Sequence, residues 1–133
     1  MSADPLANTP RITPYLLYED LEGAIEWLGK CFGLAERHRM PGPEGKVTHA
    51  EMSLADGVVM MGHPGPEYQS PKRHGHVCQL VYVYVDDVDS HFEHARAAGA
   101  SILSEPEDKP YGDRTYAAED PEGHRWYFAQ HIH

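Results

Sequence analysis

One pattern in this chain occurs twice, and it limits the possible folds more than any other feature. "YLLYEDLEGAIEWLGKCFGL" runs from Tyr15 to Leu34, and "VYVYVDDVDSHFEHARAAGA" from Val81 to Ala100. Each reads as a strand, an acidic pair, an apolar residue, a helix and a glycine before a small apolar residue. The repeat has a period of about 67 residues and low residue identity. In the first copy Leu21, Ile25, Leu28 and Phe32 mark one helix face, with Gly33 as the stop. In the second, Val88, Phe92 and Ala95 point inward, with Gly99 as the stop.

The segments after each helix complete the repeat. "VTHAEMSL" and "VVMMGH" alternate as strands, joined by the hairpin signal "ADG". In the second half "SILSEP" is a candidate short strand. "RTYAAED" and "HRWYFAQ" are two more, joined by the turn "DPEG". Between the halves, "PGPEYQSPKRHGH" lacks an apolar period and reads as a linker. The expectation is one α+β domain over 1–133, with module one at about 11–63, a linker at about 64–76 and module two at about 77–130. The opening "MSADPLANTP" reads as a frayed arm rather than a secretory signal.

A formal net charge of −10 argues against a nucleic-acid partner, since phosphate repels such a surface. No run of 18 apolar residues is present to span a membrane. Two cysteines, Cys31 and Cys78, are too few for a disulfide framework, so a cytoplasmic location is expected.

Strand parity nominates the site. In "LVYVYV", Leu80, Tyr82 and Tyr84 share one face, and Val81, Val83 and Val85 the other. In "HAEMSL", His49, Glu51 and Ser53 oppose Ala50, Met52 and Leu54. In "HRWYF", Arg125 and Tyr127 oppose the core residues Trp126 and Phe128. Arg114 and Tyr116 share a face, as do Pro14, Leu16 and Tyr18. His91 and His94 lie three apart on the second helix, a spacing that can bind zinc, although a solvated helix face accounts for it better. His131 and His133 read as tail residues.

"YEDLEGAIEWLGKCFGL", "VYVDDVDSHFEHARAAGA" and "YGDRTYAAEDPEGHRWYFAQ" carry a resemblance to the vicinal oxygen chelate superfamily. This group includes glyoxalase I, bleomycin-resistance proteins and extradiol dioxygenases. "ITPYL", "HAEM" and "DPEGHRWYF" are most similar to its PhnB-like branch. The resemblance spans residues 11–130 and implies two βαβββ modules whose mixed sheets curl into a cup, in a chain that is often a homodimer. It places the enzymes' four metal ligands at Pro14, Met60, Leu80 and Tyr127, none of which suits a hard divalent ion. The expectation is therefore no metal and no cofactor. The implied function is to hold an aromatic or partly apolar metabolite or antibiotic, as bleomycin-resistance proteins do. The expected lining is Tyr82, Tyr84, Tyr127, His49, Glu51, Arg114, Tyr116, Leu16 and Met60. The alternative is a glyoxalase-like lyase or dioxygenase-type enzyme, using a metal rebuilt at His49, Glu51 and another group or metal-free acid–base chemistry, with His49 and Glu51 as the candidate catalytic residues.

Overall fold

A computed structural model describes residues 10–132; the opening arm and His133 lie outside the described residues. The chain divides into two compact units at Tyr68–Gln69, with Lys30–Phe32 belonging to the second. Each unit holds one four-stranded mixed sheet. The order is βαβββ twice, which is an α+β fold.

In the first unit β1 (Tyr15–Leu17) leads into α1 (Leu21–Phe32), followed by β2 (Ala35–Pro41), β3 (Val47–Leu54) and β4 (Gly57–Gly62). The sheet order is β1-β4-β3-β2, with β1 parallel to β4 and the other pairs antiparallel. The second unit repeats this with β5 (Leu80–Tyr84), α3 (Val88–Ala97), β6 (Ser101–Asp108), β7 (Asp113–Glu119) and β8 (Arg125–His131), in the order β5-β8-β7-β6. A single-turn helix α2 (Pro71–His74) interrupts the expected linker.

The acidic pairs that mark the repeat start its helices. Asp20 Oδ1 accepts the Gly23 amide at 3.0 Å, and Asp87 Oδ1 accepts the Ser90 amide at 3.1 Å. Each second acid satisfies an amide that the helix cannot reach itself. Gly33 ends α1 in the left-handed conformation, at φ 80°.

The first sheet buries Leu16, Ala50, Met52, Val59 and Met61, while α1 buries Leu21, Ala24, Ile25 and Leu28. Gly29 of α1 lies against Met52, whose methyl is 4.0 Å from where a Cβ would stand. The second sheet buries Tyr116, Ala118, Trp126 and Phe128 under α3. The Phe92 and Tyr116 rings meet edge-on at 5.3 Å, and Phe32 packs against Phe128 at 4.7 Å.

His91 belongs to this core and not to a solvated face. Its Nε2 donates to the Phe32 carbonyl at 2.8 Å, which leaves Nδ1 to accept the Tyr116 hydroxyl at 2.6 Å. Burial holds the imidazole below its ordinary pKa and pushes the Tyr116 phenol up. His94 Nε2 donates to the Lys30 carbonyl at 2.9 Å. The zinc-like spacing of these histidines is thus used to accommodate backbone carbonyls.

β2 does not appear in the sequence reading. All seven of its residues are exposed on a sheet edge, and Glu36, Arg37, His38 and Arg39 hide any alternation.

Candidate functional site

Each sheet has one face covered by its own unit and one face that is not. The second sheet's uncovered face follows from the alternation of Val and Tyr in β5. Register pairs Tyr82 with Tyr127 and Tyr84 with Ala129. Across β8, Tyr127 is opposite Ala117, Ala129 opposite Thr115, and His131 opposite Asp113. Ala117, Ala129 and Thr115 are small and buried, forming a floor beside which the larger rings stand. Tyr82 and Tyr84 meet edge-on at 5.5 Å, and Tyr82 and Tyr127 lie nearly parallel at 6.5 Å.

Asp113 organises this face. Its residue exposure is 3%, whereas Tyr82 and Tyr84 remain 38% and 56% exposed. Asp113 Oδ2 accepts the Tyr82 hydroxyl at 2.6 Å and the Tyr84 hydroxyl at 2.8 Å; Oδ1 accepts His131 Nδ1 at 2.9 Å. The Tyr82 phenol, followed by His131, holds the Asp113 carboxyl below the usual range. Desolvation and the bond to Asp113 push the Tyr82 phenol up, so both tyrosines are neutral donors at pH 7. Sequence reading missed Asp113 and treated His131 as tail. The available signal was parity, since Asp113 shares a face with Thr115 and Ala117, and partly buried phenols need a partner.

The first sheet's uncovered face is polar. Tyr15, opposite Met60, donates its hydroxyl to His49 Nδ1 at 2.9 Å. His49 Nε2 points at Glu51 Oε2 at 3.4 Å, and Arg37 lies 3.8 Å from the other Glu51 oxygen. Gly62, opposite His49, makes room for this line: a Cβ there would stand 2.6 Å from the Tyr15 hydroxyl.

The structure therefore brings together Tyr82, Tyr84 and Tyr127 on one face, and His49, Glu51 and Met60 on another. Three nominated residues lie elsewhere. Leu16 is buried opposite Met61, because β1 exposes Tyr15 and Leu17 instead of Leu16 and Tyr18. Tyr116 is fully buried against α3. Arg114 shares that helix side, bonding Asp89 at 3.1 Å and Asp108 at 3.0 Å.

A model of the Glyoxalase/Bleomycin resistance protein/Dioxygenase superfamily matches residues 10–128. The chain belongs to this superfamily. An uncharacterised protein of Mycobacterium tuberculosis is 33% identical over 128 residues, covering 92% of this chain and 75% of its own. The crystal structure of TioX from Micromonospora sp. ML1 is 38% identical with a TM-score of 0.76, covering 92% of this chain and 99% of that one. A glyoxalase-related enzyme from Clostridium phytofermentans shares the fold at 13% identity, with a TM-score of 0.73 over 93% of this chain and 96% of its own.

The superfamily's enzymes hold a divalent metal, and the residues here do not fit one. Of the four positions that the resemblance assigns to the ligands, Pro14 shares the parity of the buried Leu16, so Tyr15, opposite Met60, stands on the uncovered face in its place. With Leu80 and Tyr127 on the second sheet, these positions offer phenols, a thioether and hydrocarbon, and neither imidazole nor carboxylate. Among the described residues, no three of His, Cys, Asp or Glu are grouped to hold a metal. None of the helices described is long and apolar enough to cross a membrane.

Proposed function

We propose that the superfamily chain described here holds a small organic ligand, aromatic or partly apolar, on the tyrosine face of its second sheet and does not use a metal. The carrying observation is that the Tyr82 and Tyr84 rings are partly exposed yet fixed through their hydroxyls to the buried Asp113. Exposed tyrosines ordinarily move; here the ordering cost is met before a ligand arrives. Each well-stacked ring contributes about 0.5–1.5 kcal/mol beyond its buried area. Holding without conversion is one of the activities the superfamily's name spans, and it supports a sequestering role, in the cytoplasm.

A thermal-shift screen of aromatic antibiotics and acyl metabolites tests this, because a ligand of the folded state raises its stability by mass action. Tyr82→Ala combined with Tyr84→Ala abolishes the shift of any hit, and a chelator leaves it unchanged. Binding that a chelator removes and added metal restores would sink the reading.

A second reading, metal-free acid–base catalysis, draws on the Tyr15–His49–Glu51 line: Glu51 orients an imidazole that can accept a proton through Tyr15. Turnover of a screened hit that is lost in His49→Ala, while the hit still binds, would establish it. We also propose a homodimer, supported by exposed apolar residues on both units, including Tyr15, Met40, Leu80 and Leu103. Light scattering at micromolar concentration showing a monomer would reject it.

A further inference from the structure

We propose that the ligand of the tyrosine face carries a positive charge, an organic ammonium seated over the rings of Tyr82, Tyr84 and Tyr127. This rests on the reading of that face as a ligand-holding surface and names the class it selects.

The rings present several π surfaces at once. Tyr84 stands at 73° to Tyr82, and Tyr127 at 17° to it. A flat neutral ring stacks on one such surface at a time, whereas a compact cation is attracted by every ring face within about 6 Å.

The hydroxyls point the same way. Both the Tyr82 and Tyr84 protons are given to Asp113, at 2.6 and 2.8 Å. A ligand carbonyl or carboxylate therefore finds no free proton on either phenol. Donation to a carboxylate also moves electron density onto the phenol oxygen and ring, which strengthens the attraction of the ring face for a cation.

Charge complementarity agrees. The carboxylate at the hydroxyl ends of the rings is buried and formally negative, in a chain of net charge −10. His131 offsets it only when protonated. Lys109 stands beside the face, near enough to Tyr127 and Tyr111 to interact with them, but its ammonium is paired with Glu107 at 2.8 Å; Arg125 lies at the far end of β8, opposite Leu80 and Glu119.

Three soluble probes of matched shape test the charge: choline, neutral 3,3-dimethylbutan-1-ol and anionic 3,3-dimethylbutanoate. The full chain, labelled at tyrosine, is titrated with each while ring resonances are followed by NMR. Choline is expected to shift Tyr82, Tyr84 and Tyr127 at concentrations about tenfold below the alcohol, and the carboxylate to shift none. Tyr127→Leu keeps the Asp113 bonds and is expected to weaken choline several-fold while leaving the alcohol unchanged. Equal binding of choline and alcohol at these rings overturns the cation but leaves the ligand reading standing. Silent rings with all three probes overturn the cation, and if the screen also finds no ligand the broader reading falls with it. Silent rings in a dimer that Tyr84→Ala dissociates would make a second copy the occupant and overturn both.

Discussion

The two sheets share an order of elements but not the chemistry of their uncovered faces. In the first, Tyr15, His49, Glu51 and Arg37 form a polar line across three strands and the edge strand β2. In the second, two tyrosines converge on one buried carboxylate and a third stands beside them. The common part is what the backbone needs: an acid capping each helix and an apolar side packed under it. The uncovered faces carry no such requirement, and there the copies differ.

The turn before the last strand of each unit shows the same divergence, and breaking it gives the largest expected effect. In the second unit the turn closes on Asp120, which is 1% exposed. One oxygen accepts the Glu122 and His124 amides at 3.0 and 3.1 Å; the other accepts Trp126 Nε1 at 3.1 Å. Asp120→Ala strands three donors, one of them in the core, and should cost about 3 kcal/mol in urea unfolding. A loss under about 1 kcal/mol would show that the turn holds without its carboxylate.

The second expected effect concerns His91, whose counterpart in the first unit's helix, counted from the capping acids Asp20 and Asp87, is the buried Ala24 rather than a titrating group. Because burial depresses its folded pKa, the unfolded chain takes up a proton first. Stability from this residue is complete above its ordinary value of 6.5 and is lost as pH falls below it. His91→Phe should cost about 2 kcal/mol at pH 8, because the Tyr116 hydroxyl and Phe32 carbonyl lose their partner. It should also flatten the loss of stability between pH 6.5 and lower values. An unchanged slope would assign that titration to other groups.

A smaller change separates the two faces. Gly62→Ala pushes a Cβ to 2.6 Å from the Tyr15 hydroxyl, so the phenol must leave His49. Expected are a loss of about 1 kcal/mol and an unaltered response of the second sheet's tyrosines to any ligand. Loss of ligand binding in this variant would make the first face part of the binding surface.

The fold was legible where period and punctuation agreed. The helices, the long strands and the Val/Tyr alternation of β5 all satisfy one pattern at several levels. β2 was not, because an exposed edge has no apolar side to report. Which face of β1 is buried is not legible, because Tyr15, Leu16 and Leu17 are apolar on both faces over only three residues. "RTYAA" was ambiguous for the same reason: a tyrosine suits a core or a site equally, and Tyr116 went to the core. The tyrosines of the candidate site could be read from parity. Asp113, which orders them, could not be singled out, since its bonds run to residues 29 and 31 positions away.

The smallest effect sharpens the comparison of turns. Where the second unit uses Asp120, the first joins β3 to β4 by two residues, Ala55 and Asp56, between the paired Leu54 and Gly57. Ala55 lies at φ 52°. Tight hairpins favour glycine at such a position because a Cβ there crowds the backbone. The left-handed conformation costs alanine about 1–2 kcal/mol, and glycine returns about 0.5–1 kcal/mol of that through the greater freedom of the unfolded chain. Ala55→Gly should therefore stabilise the protein by about 0.5 kcal/mol, read as a higher urea midpoint at constant slope. A lower midpoint would mean that the hairpin relaxes around Ala55, and that the first unit's turn is as well matched to its sequence as the second's.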